Sequence, residues 1–278
     1  MGDDIALDEK RRYGTKREVS VVAVAAELGV ATVEVSGDQI GRFHLERRCS
    51  PRAIAGGDGR LAVATDEDVL VGDAADLEPT GFGPAVAVGV GDGVLAAGAD
   101  GEVARLVDDA WTTLGTVPDV RAVDGNLVAA ADGVYRVLGD DLTNAGLDDV
   151  RDVATAGLPL AATGHGLYYL GNGWMNAHDG AFEVVAAGDD QAHAATSDAL
   201  YELVGDAHAS FDGGQDWQAR DLPVAEPVAG VAYGECPYVV TEDGTFLVDA
   251  DPETTPDGGG GWRSRSLGLT GVVGLAVR

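Results

Sequence analysis

Along most of the chain, apolar residues recur at every second position in short runs broken by Asp and Gly. That period puts one face of each run into a core and predicts strands rather than helices. Two such runs around a tight turn form a unit that recurs: RLAVATDEDVLVGD from Arg60, VLAAGADGEVARLVDD from Val94, NLVAAADGVYRVLGDD from Asn126 and LPLAATGHGLYYLGNG from Leu158. It continues as AHAATSDALYELVGD from Ala192 and PYVVTEDGTFLVDAD from Pro237, with SVVAVAAELGVATVEVSGD from Ser20 as a looser first copy. Turn centres near Gly29, Glu67, Asp100, Asp132, His165, Asp198 and Asp243 are about 38, 33, 32, 33, 33 and 45 residues apart, room for four short strands per repeat.

Another apolar run precedes each later hairpin, as in RAIAGGDG from Arg52, VRAVDG from Val120 and VRDVATAG from Val150. A fourth run follows and starts near Trp111, Trp174, Trp217 and Trp262 in four units. The chain ends on TGVVGLAVR, a first strand lacking its hairpin, whereas the hairpin at Ser20 lacks a first strand. Pairing the two closes a ring. The pattern predicts an all-β fold, a seven-bladed β-propeller of four-stranded antiparallel blades in which the C-terminal strand joins the N-terminal blade. Six or eight blades remain the alternatives if the first or last unit is counted differently. A charged tail spans residues 1–17, and a single propeller domain spans 18–278.

Composition sharpens this picture. Ala and Val dominate the apolar 45 %, which suits tightly packed sheets, and the net charge is −29 with 18 basic against 47 acidic residues. Such a field disfavours free DNA and anionic membranes, and only 2 of the basic residues are Lys. Any single carboxylate is therefore read first as solvated surface. Cys49 and Cys236 supply neither a disulfide framework nor a zinc site, and no apolar run reaches the length of a membrane span. A cytoplasmic monomer is the expectation.

SFDGGQDW from Ser210 and TPDGGGGW from Thr255 share the pattern [ST]-x-D-x-G-x-x-W at the same offset in two repeats. The pattern resembles the Asp-box, or BNR, repeat, which implies a turn between the third and fourth strands of a blade. Asp212 and Asp257 would accept backbone N–H bonds, Gly214 and Gly259 would take the reversed φ, Trp217 and Trp262 would wedge against the blade, and Ser210 and Thr255 would add hydroxyl bonds. Ser210 is then no nucleophile, and Arg105, Arg121, Arg136 and Arg151 are too scattered across strand types to form a sialidase-like cluster.

The repeat places Glu67, Asp68, Asp100, Asp132, His165, Asp198, Glu242 and Asp243 around one face of the ring, with Asp119, Asp148 and Asp149 on connections between blades. Oxygen ligands of this kind suit Ca²⁺ or Mg²⁺, but Asp-Gly is also ordinary hairpin chemistry, so no cofactor is expected. His44, His165, His178, His193 and His208 show no metal-binding spacing, and no catalytic group is assigned.

Charge is unevenly spread: residues 1–60 hold ten basic and ten acidic residues, leaving the whole −29 to the rest. Lys10, Arg11, Arg12, Lys16 and Arg17 of the tail, with Arg42, Arg47, Arg48 and Arg52, form a candidate basic patch along the closing blade. Overall composition and repeat resemble an uncharacterised β-propeller family of halophilic archaea, which implies no known activity. The expected function is a non-enzymatic binding module or scaffold that meets a protein or ribonucleoprotein partner through this patch. The alternative is a divalent-metal-dependent hydrolase of lactonase or phosphoesterase type, acting through the acids at the channel mouth.

Overall fold

The computed structural model describes residues 19–188, 191–204, 216–250 and 261–278. Within them lie seven antiparallel sheets of four strands each and no helix. Six sheets are consecutive along the chain, and we number them blades 2 to 7: residues 51–79, 85–116, 120–144, 150–179, 184–220 and 228–266. Blade 1 takes its inner strand, Gly274–Val277, from the C-terminus and its other strands, Ser20–Ala26, Gly29–Ser36 and Gln39–Arg47, from the N-terminus.

Closure follows from hydrogen bonding between strands remote in sequence. Val22 pairs with Val277, Val24 with Leu275 and Ala25 with Gly274. Beyond the strand ends, Glu27 N–H bonds Thr270 O at 3.1 Å and the Thr270 hydroxyl donates to Glu27 Oε2 at 3.1 Å. The inner strand of blade 2 packs so close to this closing strand that a Cβ on Gly56 would lie 2.0 Å from Val277 O, which only glycine permits.

No single core occupies the molecule. Buried apolar residues form seven clusters, one between each pair of neighbouring blades. Alternation along each strand explains this, because successive side chains point to the two neighbouring blades in turn. Ala62 and Ala64 pack toward blade 3, whereas Leu61 and Val63 pack toward blade 1. Second strands are therefore buried on both faces and read as continuous Ala/Val runs. Outer strands are half exposed.

In four blades a threonine at the end of the second strand, or one residue past it in blade 6, holds the turn that follows. Thr163 Oγ1 accepts from His165 N–H at 3.1 Å and Gly166 N–H at 3.0 Å, and donates to Gly166 O at 2.9 Å. Thr65 does the same with Glu67 and Asp68, Thr196 with Ala199, and Thr241 with Thr245. These hydroxyls satisfy turn amides at the edge of the core, where Thr65, Thr163 and Thr241 are buried.

Candidate functional site

The first candidate surface is the edge of the closing blade. Outer strand Gln39–Arg47 presents Arg42, whose side chain is 87 % exposed and meets Glu34 only loosely at 3.4 Å. Arg48, just past the strand, is exposed and has no ion pair among the described residues. Arg47 reaches across to the outer strand of blade 2 and donates to Leu77 O at 2.8 Å, tying two blades together.

Ring closure adds what the linear sequence kept apart. Outer strand Gly261–Ser266 of blade 7 lies beside that of blade 1. Arg263 pairs with the buried Asp38 at 2.7 Å, and Arg265 donates to Gly41 O at 2.5 Å with its guanidinium 5.0 Å from the Phe43 ring. The edge therefore carries Arg42 and Arg48 outward, while Arg47, Arg263 and Arg265 tie neighbouring blades together. Residues 1–60 and 261–278 together hold 13 basic and 10 acidic residues, against 5 and 37 in residues 61–260. The two end segments of the sequence are thus far less acidic than the stretch between them.

Of the patch proposed from sequence, Lys10, Arg11, Arg12, Lys16 and Arg17 lie outside the described residues. Arg52 is placed elsewhere: it sits on the inner strand Pro51–Gly57 and lines the central channel, a cavity of about 750 Å³. The Asp-box positions Ser210, Asp212, Gly214, Thr255, Asp257 and Gly259 also lie outside the described residues. Trp217 is buried between blades 5 and 6, and Trp262 packs between blades 6 and 7 under the Arg220 guanidinium.

The channel is the second candidate surface, and a repeated β-bulge builds its mouth. Near the start of the inner strand, one extra residue interrupts the register with the second strand at Arg52, Val86, Arg121, Arg151 and Ala229. Glu183 and Val273 take the same place in blades 6 and 1, each donating N–H to the second strand one residue before regular pairing starts. Such a residue is turned out of the ladder. Three of these seven positions carry arginine.

Arg121 donates to Asp149 Oδ1 at 2.7 Å and to Val150 O at 3.2 Å in the next blade. Arg151 stands 3.7 Å from the other Asp149 oxygen and is ion-paired with Glu183. Arg121 thereby holds the Asp149 carboxyl below the usual carboxylate range, with the Arg151 charge adding to it. Asp149 has φ of 45°, which turns its side chain back over Gly164; a Cβ there would fall 2.0 Å from Asp149 Oδ2. Asp-Val-Arg occurs twice, at Asp119 to Arg121 and Asp149 to Arg151, both aspartates with positive φ.

Deeper in the wall, carboxylates satisfy amides of the next blade. Asp124 Oδ2 accepts from Thr155 N–H at 2.6 Å and its hydroxyl at 2.7 Å, and Asp152 accepts from Val153 and Val185 N–H, both at 2.9 Å. Burial pushes the Asp152 carboxyl up to about 7 despite these bonds, and the nearby Asp124 charge adds to the rise. His193, fully buried behind the wall, has Nδ1 3.0 Å from the Tyr233 hydroxyl, which donates to Ala186 O at 3.0 Å. Burial lowers His193 to about 4 and raises Tyr233.

The acids expected around the mouth are largely engaged in turns. Asp68 accepts from Val69, Gly81 and Gly83 N–H, Asp100 from Glu102 N–H, Asp132 from the Tyr135 hydroxyl and Asp198 from Thr196. His165 stands 4.0 Å from Asp148. Among the described residues, no group of three or more His, Cys, Asp or Glu is arranged to hold a metal ion. No helix among them is long and apolar enough to cross a membrane.

The mouth arginines Arg52, Arg121 and Arg151 were missed from sequence as a set. Their signal was present: PR, VR and VR open three inner strands at one register position. Only a bulge at that position turns all three into the channel.

Solved structures share this architecture at low identity. The WD40 β-propeller domain of Doa1 aligns with a TM-score of 0.61 at 14 % identity, covering 92 % of this chain and 90 % of that one. The computationally designed Ika8 protein aligns at 0.57 and 14 %, covering 93 % and 91 %, and YCF48 from Cyanidioschyzon merolae at 0.52 and 14 %, covering 86 % and 98 %. At such identities the likeness concerns the fold alone. No curated protein matches the chain. The family model that matches, over residues 6–278, describes an HVO_0234-like β-propeller. Seven closed blades and a match over nearly the whole chain place this protein in the HVO_0234-like β-propeller family.

Proposed function

We propose that the protein is a non-enzymatic binding module, acting in a salt-rich cytoplasm, whose closing-blade edge and basic N-terminal tail meet an anionic surface of a protein or ribonucleoprotein partner. The observation that supports this reading is that ring closure brings Arg42 and Arg48 of blade 1 beside Arg263 and Arg265 of blade 7, in a chain whose two end segments hold 13 of its 18 basic residues. Arg42 and Arg48 point outward there with their charges largely unspent, and Arg265 bonds Gly41 O but has no ion pair among the described residues. Partner affinity of this kind is electrostatic, so it weakens with salt but survives where several contacts act together. Seven rigid blades supply a preorganised surface that loses little entropy on binding.

The test is affinity capture in molar KCl followed by mass spectrometry, comparing the intact chain, a form lacking residues 1–17, and the triple variant Arg42→Ala, Arg48→Ala, Arg265→Ala. A stoichiometric partner retained by the intact chain and lost from both altered forms is the expected result. A partner list unchanged by either alteration would overturn the reading.

A further inference from the structure

The ring of bulge residues at the channel mouth is unevenly charged. Arg52, Arg121 and Arg151 lie in blades 2, 4 and 5, with Val86 of blade 3 between the first two, so one arc of the mouth carries three guanidinium groups. On the ring itself and its bridging acid, three positive charges face the two negative charges of Glu183 and Asp149. Arg52, Arg121 and Arg151 thus gather on the channel, where Asp149 and Glu183 engage Arg121 and Arg151 but not Arg52.

Pairing rules explain which of the three is left over. Arg121 and Arg151 each pair with a carboxylate at the connection leading into the next blade, Arg121 with Asp149 one residue before Val150 and Arg151 with Glu183 one residue before Val184. The matching position ahead of blade 3 is Pro84, which offers no carboxylate. Arg52 is accordingly exposed, lines the channel and has no ion pair among the described residues. Arg151 and Arg121 are held rigid by Asp149, whereas Arg52 keeps its planar donor fork available.

The channel wall indicates the rest of the ligand. Inner strands present their unpaired backbone edge to the cavity, and side chains such as Asp124 and Asp152 already satisfy some of its amides. Displacing channel water with an apolar body would strand the remaining backbone groups. A hydrophilic ligand replaces that water with its own hydrogen bonds.

We infer that the channel mouth is a binding site for the carboxylate or phosphate group of a small hydrophilic anion, held between Arg52 and the Arg121–Asp149–Arg151 cluster. The site is separate from the closing-blade edge, so the two readings stand or fall independently.

Isothermal titration of the full chain tests it, with inorganic phosphate and citrate as the probes, potassium concentration and ionic strength being held constant. One saturable site for phosphate or for citrate is expected, and which probe binds distinguishes the two chemistries. Arg52→Ala should weaken it by about tenfold or more, and Arg52→Glu should abolish it, while Arg48→Ala leaves it unchanged. Melting temperatures of the Arg52 variants should match the parent, because Arg52 has no ion pair to lose. Saturation by neither probe, or undiminished binding by Arg52→Ala, would overturn the inference.

Discussion

His193 illustrates what a single buried group does in a fold made of thin wedges. Tyr233 donates its proton to Ala186 O, so the imidazole donates from Nδ1, and Nε2 has no partner among the described residues. A charged imidazole is excluded there, and burial holds the group near 4 rather than its ordinary 6.5. The unfolded chain therefore takes up a proton between pH 6.5 and 4 that the folded chain refuses, and stability falls as pH drops through that window. At pH 4.5 the loss attributable to His193 is on the order of 2 to 3 kcal/mol. Denaturant titrations at pH 7 and 4.5 should show the acid-induced loss smaller by that amount in a His193→Gln variant. The sequence named His193 only as one of five histidines without metal spacing; its burial depends on blade 7 bringing Tyr233 to it from 40 residues away.

At the level of the element, hairpins were readable because strand alternation and Asp/Gly turns are local properties. The threonine that locks four of these turns is equally local, present as ATDED, ATGHG, ATSDA and TEDGT, but nothing in those strings distinguishes a buried hydroxyl from an exposed one. Its role is exposed by burial: Thr163 is 1 % accessible, and valine in its place would fill the same volume while stranding the amides of His165 and Gly166. Thr163→Val should cost about 2 kcal/mol, measured as a lowered denaturation midpoint with unchanged slope. The mouth arginines belong to this level too. Arg121 and Arg151 are both second residues of inner strands, but regular alternation would have sent them between blades, and the register irregularity that turns them inward has no sequence mark of its own.

For the molecule as a whole, closure is the decisive feature. The strand Gly274–Val277 contributes Leu275 and Ala276 to the clusters on either side of blade 1, and Val272 just before it is also buried. Removing residues 272–278 exposes those side chains and the edge of Ser20–Ala26, a loss of about 5 kcal/mol by apolar area. That is a large share of the stability of an ordinary domain. The shortened chain should lose its single cooperative melting transition and become sensitive to protease at the termini; intact two-state melting in molar KCl would show the closing strand to be dispensable. Closure also produces the charge map, since segments neutral or basic in sequence become neighbours only when blade 1 is assembled from both ends.

By itself the sequence determined the strand content, the seven repeats, the closing strand and the overall acidity, because period, turn chemistry and charge are read within a few tens of residues. Only the tertiary structure decided that Arg52 belongs to the channel rather than the outer edge, that Arg263 and Arg265 reinforce blade 1, and that Asp149 bridges two arginines. Each of these depends on which blade lies next to which and on a bulge that rotates one residue out of its ladder, and both are consequences of packing seven wedges into a closed ring.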